Sequence, residues 1–385
     1  MNNKTIAIFS ALPLEWLGGV ERYTLNLSKI FSKQGYRVIV ITSNLYKTGN
    51  KETKNGMNIY YLPCIKLLGG RFPVLLYGRL LSEIKLNLLQ EKIDYILVNN
   101  RFYILSLFGV HFAYKNNIPV VLIEHASGHF TVNNWFFDTL GHFYEHMITS
   151  LIKKYCSVFC GVSLQCNKWL EHYNISAKDI FPNAVDVLEI ENIKNNTNKN
   201  YRKEYNISNN EIIVCYTGRL IMEKGIQKLI NAIELLNKNE KKYFLFIAGS
   251  GTMESYVKKN LNKNVIFLGQ LNFEEIVALL KDSDIFCLPT DYAEGFPTSI
   301  LEAVACECFC ISTVKSGSQQ LFPNENFGIL LEKNTVEQLS NSIEYAANNE
   351  KYRNNAVLLA KEELIKNFTW GKTAEKIINL FENRS

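Results

Sequence analysis

Two glutamates eight residues apart, Glu294 and Glu302, flank a Gly-Phe-Pro turn in the run PTDYAEGFPTSILEA at 289–303. Pro297 suits the first position of a helix, where its missing N–H costs little. Thr298, Ser299, Ile300 and Leu301 would then present free backbone N–H groups toward the turn. A helix start of this kind attracts anions, phosphate above all. One carboxylate before the anion site and one about a turn inside it suit hydroxyls on either side of a bound diphosphate, which is the layout of a nucleotide sugar. The plainer alternative is an ordinary strand-to-helix turn, with Glu294 solvated and Glu302 paired to a lysine.

A second loop offers the charge that such a ligand needs. After the apolar run IIVCYTG comes GRLIMEKG, with Gly218, Arg219, Lys224 and Gly225. Two cations beside a helix start make a diphosphate clamp, and solvated surface cations are the alternative. His125 follows VVLIE, at the carboxyl end of a strand where open parallel sheets bind ligands, although a lone histidine is often structural. Gly18 and Gly19 open a helix near the start of the chain, and a glycine pair there lets a ligand approach the backbone, or simply makes a tight turn. Asp282 and Asp284 resemble a metal-holding Asp-x-Asp, but they close a helix and precede a buried strand, away from these loops. Cys306, Cys308 and Cys310 alternate as core residues on a strand do, not as a zinc knuckle.

These residues need a scaffold that ends its strands at one edge. Apolar runs at 5–10, 37–42, 58–62, 94–98, 119–123 and 157–161 read as strands, and 20–34, 74–91, 102–116 and 164–173 as helices. An aromatic helix over 133–155 contains Trp135, Phe136 and Phe137, which cannot all face one side. The Asn- and Lys-rich stretch 189–203 reads as a linker, after which the alternation restarts. This is an α/β pattern with parallel sheets. The expected domains are 1–188, 189–365, and a C-terminal helix at 366–385 that packs back on the first.

The chain has 385 residues, is 47% hydrophobic and 21% charged, and is long enough for two cores. No apolar run approaches the roughly 18 residues of a membrane span, and the start is too short in apolar residues for a secretory signal. A cytoplasmic protein is expected. The net charge is +5, with 19 Lys and Arg against 13 Asp and Glu in residues 1–190, and 23 against 24 in the rest. The basic half suits an anionic membrane surface or an anionic substrate. Nucleic acid is not expected, since no dense basic run appears.

Taken together, GGVERYTLNLSKIF, His125, PNAVD, GRLIMEKG and EGFPTSILEA resemble the family-4 glycosyltransferases of the bacterial surface-polysaccharide type. The resemblance implies the GT-B fold, two Rossmann-like domains each with a parallel sheet, facing across a cleft. It implies a retaining enzyme that moves a hexose or N-acetylhexosamine from a UDP- or GDP-linked sugar to a hydroxyl, on a saccharide or lipid-linked saccharide. His125, Arg219, Lys224 and Glu294 would be catalytic, with His125 and Glu294 on the sugar and the two cations on the diphosphate. Gly18, Gly19, Gly218, Leu271, Phe296, Thr298, Ser299, Ile300 and Glu302 would bind the donor, Leu271 near the base and Glu302 on the ribose. No metal and no cofactor is expected, and a peripheral place at the inner face of the bacterial membrane is. The chain departs from the family pattern at Pro297, often Gly, and at Ala184, Glu307, Phe309 and Gln320. The competing expectations are a sugar-nucleotide 2-epimerase of the same fold and a non-catalytic sugar-nucleotide-binding subunit.

Overall fold

Short β-branched and aromatic runs bounded by turns build two large sheets and a two-stranded one in the computed structural model, which describes residues 4–383 except 17, 48, 133, 239–241 and 293. The chain divides into two units, Met1–Asn183 with Trp370–Ser385, and Ala184–Thr369. The division expected after 188 thus falls after Asn183, and that expected after 365 falls after Thr369.

In unit 1 the strands are β1 (Thr5–Phe9), β2 (Arg37–Ser43), β3 (Lys51–Lys54), β4 (Met57–Leu62), β5 (Cys64–Leu67), β6 (Phe72–Leu75), β7 (Tyr95–Asn99), β8 (Val120–Glu124) and β9 (Phe159–Gly161). Seven of them form a sheet in the order β3-β4-β2-β1-β7-β8-β9, parallel except for β3 against β4. The helices are α1 (Gly19–Lys33), α2 (Arg79–Gln90), α3 (Ile104–Lys115), α4 (Trp135–Lys153) and α5 (Leu164–Glu171). Tyr23, Thr24, Leu27, Ser28 and Phe31 of α1 are buried at helical spacing, which fixes the face it lays on the sheet. The helix expected over 74–91 is shorter. Residues Phe72–Leu75 pair antiparallel with β5 instead, across a turn in which Gly69 and Gly70 take positive φ, and α2 starts only after Gly78. Glycine turn chemistry and Pro73 outweigh the apolar run there.

Unit 2 holds α6 (Val187–Asn196), α7 (Tyr201–Glu204), β10 (Ile212–Thr217), α8 (Ile226–Leu236), β11 (Tyr243–Ala248), α9 (Glu254–Lys259), β12 (Val265–Gly269), α10 (Phe273–Asp282), β13 (Ile285–Leu288), α11 (Thr298–Ala305), β14 (Phe309–Thr313), β15 (Ile329–Leu331), α12 (Val336–Asn348) and α13 (Glu350–Asn367). Its sheet is wholly parallel, in the order β12-β11-β10-β13-β14-β15. Sequence order reverses between β10 and β13, and ligands of open parallel sheets bind beyond the carboxyl ends of the strands at such a point.

The last helix, α14 (Trp370–Glu382), belongs to unit 1. Its Trp370 ring lies edge-on to Tyr23 of α1 at 5.4 Å, and Phe381 stacks on Tyr95 at 4.6 Å. Thr373 Oγ1 donates to Pro182 O at 3.1 Å.

Candidate active site

The loops after β10 and β13, neighbours at the switch point of unit 2, are joined by backbone and side chain. Asp291 N donates to Glu223 O at 2.8 Å, and Lys228 Nζ lies 2.6 Å from Asp291 Oδ2. Gly225 ends the first loop at φ +72°, and a Cβ there would stand 1.9 Å from Pro289 O, so only glycine lets the two loops meet. Gly317, φ +77°, closes the far side against Gly295 O, while Glu294 N donates to Lys315 O at 3.1 Å.

Within this frame Lys224 Nζ and Glu294 Oε1 form an ion pair with side chains 9% and 13% exposed. Two groups named from the sequence for different parts of a ligand therefore meet directly. Arg219 is exposed, beside Gly218, and its carbonyl accepts the Tyr216 hydroxyl at 2.8 Å. Pro297 is the residue that caps α11, with ψ 120°, so Thr298 rather than Pro297 is the first helical residue. The Thr298 and Ser299 amides have no helical carbonyl behind them, whereas the Ile300 amide donates to Pro297 O at 3.3 Å. Glu302 is buried one turn into α11. Phe296 packs its ring on Phe368 at 5.2 Å, so the ring belongs to the core. Leu271 lies beyond the edge strand β12 and packs on the same core.

Asp282 and Asp284 are engaged structurally. Tyr201 N donates to Asp282 Oδ2 at 2.6 Å, and Asp284 takes the Arg202 guanidinium and, at 2.8 Å, Ile213 N. The nine cysteines are free, eight of them buried; burial pushes the Cys306 thiol up to about 12.

In unit 1, His125 stands directly after β8, and its Nε2 lies 3.0 Å from Asn99 Oδ1. Asn99 Nδ2 donates to Thr24 Oγ1 at 2.8 Å, which leaves Oδ1 as the acceptor facing the ring and sets the Nε2–H tautomer. The ring meets Tyr23 edge-on at 4.8 Å, and the His125 amide donates to Asn100 Oδ1 at 3.1 Å. Burial pulls the His125 pKa down to about 3, so the imidazole is neutral and its bare Nδ1 is an acceptor.

Gly18 is the residue before α1, and Gly19, its first residue, has open space where a Cβ would go. Against Gly18 lies a carboxyl that the sequence did not single out, Glu21, whose Oε2 would stand 2.3 Å from a Cβ on that glycine. Glu21 is buried, and that burial raises its pKa to about 7, against the pull of its own amide and that of Gly18. Its place two residues after a glycine pair, in the first turn of a helix, was the available signal. Asn99, which ends the strand YILVN, and Asn100 after it were likewise missed, because an asparagine at a strand end reads as turn chemistry.

Behind His125 runs a fully buried charge network. Arg101 lies 3.3 Å from both Glu124 Oε2 and Glu145 Oε2, with its guanidinium 3.9 Å from the Tyr173 ring centroid. Glu124 Oε1 accepts the amides of His125 and Ala126, so the network fixes the turn that carries the histidine.

Comparison with known proteins follows this division. Residues 17–188 match the family described as Glycosyltransferase Family 4, and residues 197–363 match Glycosyl transferases group 1. An uncharacterized glycosyltransferase of Methanocaldococcus jannaschii is 25% identical over 99% of both chains. The capsular polysaccharide biosynthesis glycosyltransferase CapM of Staphylococcus aureus is 24% identical over 73% of this chain and 74% of its own. Among solved structures, HepE of Anabaena in complex with UDP superposes with a TM-score of 0.75 at 16% identity, over 99% of this chain and 100% of that one. The fold is GT-B.

Proposed function

We infer that this chain, built of a family 4 and a group 1 glycosyltransferase domain, is a glycosyltransferase that moves a hexose or N-acetylhexosamine from a UDP- or GDP-linked sugar to a hydroxyl with retention. The observation that carries the reading is the Lys224–Glu294 pair, shielded from water at the switch point of a parallel sheet and beside the start of α11. Lys224, exposed Arg219 and the Thr298 and Ser299 amides offer positive charge to a diphosphate. Glu294 offers a carboxylate to sugar hydroxyls and Glu302 to the ribose. Solved complexes of HepE with UDP and UDP-glucose are consistent with a uridine donor.

In the proposed reaction the bond between the anomeric carbon and the phosphate oxygen breaks, and the electron pair leaves with the diphosphate. The acceptor oxygen bonds to the same face of the sugar, and its proton passes to the departing phosphate. Neutral His125 holds the sugar as a hydrogen-bond acceptor at Nδ1 and does not act as a base. The reaction requires no metal and no cofactor in this reading.

The proposed acceptor is a lipid-linked saccharide of surface-polysaccharide synthesis, met at the inner face of the cell membrane. Support comes from the name of the CapM relative, from the basic excess of residues 1–190, and from α4, where Trp135 and Phe143 are 81% and 71% exposed. No helix among the described residues is long and apolar enough to cross a membrane. The test is turnover of a panel of UDP- and GDP-sugars with product analysis by NMR. Nucleoside diphosphate released with the anomeric configuration kept supports the reading. Donor epimerised without an acceptor would make the protein a 2-epimerase, and binding without turnover a sugar-nucleotide-binding subunit.

A further inference from the structure

Four of the six histidines, His129, His142, His146 and His172, gather at one place in unit 1. We propose that His129, His146 and His172 form a binding site for a divalent transition-metal ion of the Zn²⁺ class. The three come from separate elements: the loop after β8, the middle of α4, and the residue following α5. One ring nitrogen from each lies within 4.8 Å of the others. Nε2 of His146 and Nε2 of His172 are 3.2 Å apart. Nitrogens bound to one tetrahedral zinc at about 2.0–2.1 Å stand about 3.3 Å apart, so this edge already has the length a metal needs. Closing on the third nitrogen, that of His129, takes a shift of about 1.5 Å at most, within the swing of the exposed His146 and His172 imidazoles.

The support behind the ligands is of the kind metal sites use. Glu145 Oε2 lies 3.2 Å from His129 Nδ1 and also accepts Tyr173 OH at 3.0 Å, while its Oε1 accepts Phe130 N at 2.8 Å. A carboxylate on one imidazole nitrogen fixes the tautomer and leaves the other nitrogen bare for a metal. Arg101 holds that carboxylate from the buried side. His142, one helical turn before His146, stacks on His129 at 3.9 Å and backs the ring.

Three imidazoles without thiolate select Zn²⁺, Co²⁺, Ni²⁺ or Cu²⁺ over Mg²⁺ and Ca²⁺, which take oxygen ligands. His129 is 20% exposed and the other two are more open, so an ion enters from solvent and keeps at least one position for water. Bound there, it would tie the loop that begins at His125 to α4 and α5. That is a structural tie, outside the metal-free transfer proposed above, and it departs from the sequence-based expectation of no metal.

The experiment uses the full chain without a histidine tag, stripped by chelator, with Zn²⁺ titrated against a chromophoric competitor. One equivalent per chain is expected, together with a raised Tm and no response to Mg²⁺. His146→Ala and His172→Ala, both at exposed positions, should each weaken binding by roughly 100-fold, while His111→Ala, remote from the cluster, leaves it unchanged. Co²⁺ should give the visible bands of a four- or five-coordinate site. Wild type binding Zn²⁺ no more tightly than the His146→Ala/His172→Ala double variant would overturn the proposal, whatever the enzyme's turnover.

Discussion

At the scale of the residue, the pair of Lys224 and Glu294 sets up a competition. Each is held by the other in the absence of ligand, so a diphosphate must draw the ammonium away from the carboxylate. Glu294→Gln keeps the shape and releases the lysine; nucleoside diphosphate should bind about tenfold more tightly, while transfer slows because the sugar loses a charged acceptor. Calorimetry alongside turnover checks this, and unchanged binding with unchanged transfer would place Glu294 outside the site. Glu21 gives a second test. Its carboxyl titrates near 4.5 when unfolded and about 7 when folded. Both states are protonated below the lower value, so burial costs nothing there. As pH rises through 7 the folded state is penalised by up to roughly 3 kcal/mol. Glu21→Gln should therefore raise Tm at pH 8 and leave it unchanged at pH 4. The charged residues of the candidate site were legible as loop groups because GRLIMEKG and EGFPTSILEA place them at strand ends. Asn99 was not, since nothing in its own neighbourhood tells a long-range partner, and Glu21 offered only its place after a glycine pair, which does not tell burial.

At the scale of the element, glycines separate structural need from ligand need. Gly225→Ala puts a Cβ against Pro289 O in a left-handed residue, so a loss of more than about 3 kcal/mol, or no soluble protein, is expected. Gly19→Ala meets open space at a helix start and should change stability by less than about 0.5 kcal/mol. A drop in turnover with Gly19→Ala at unchanged Tm would report a ligand lying against that backbone, and unchanged turnover would remove Gly19 from the site. The alternation of strands and helices was legible from period and spacing, whereas the β5–β6 hairpin was not. Val74 and Leu75 suit either helix or strand, and the decision fell to Gly69, Gly70 and Gly78. Glu307 shows the reverse case, a non-glycine residue at φ +66° after α11, tied by Lys361 at 2.5 Å and Lys194 at 3.5 Å.

At the scale of the whole molecule, the exposed aromatics of α4 predict an encounter with lipid. The protein should sediment with anionic vesicles at low salt, and Trp135→Ser with Phe143→Ser should lower the bound fraction several-fold without moving Tm. No difference between wild type and the double variant would take α4 out of membrane contact. The two-unit plan was legible from the restarted alternation, whereas the Asn- and Lys-rich stretch 189–203 read as a linker is largely α6 and α7 of unit 2, with Ile190 and Tyr201 in its core. What the linear order hides is that unit 1 is assembled from two distant stretches, Met1–Asn183 and Trp370–Ser385, with all of unit 2 between them. A ribosome therefore delivers α14 only after unit 2 is complete. Until then Tyr23 and Tyr95 lack Trp370 and Phe381. The nascent first half must wait, incompletely covered, for its last piece, while the contiguous second half can fold as it emerges.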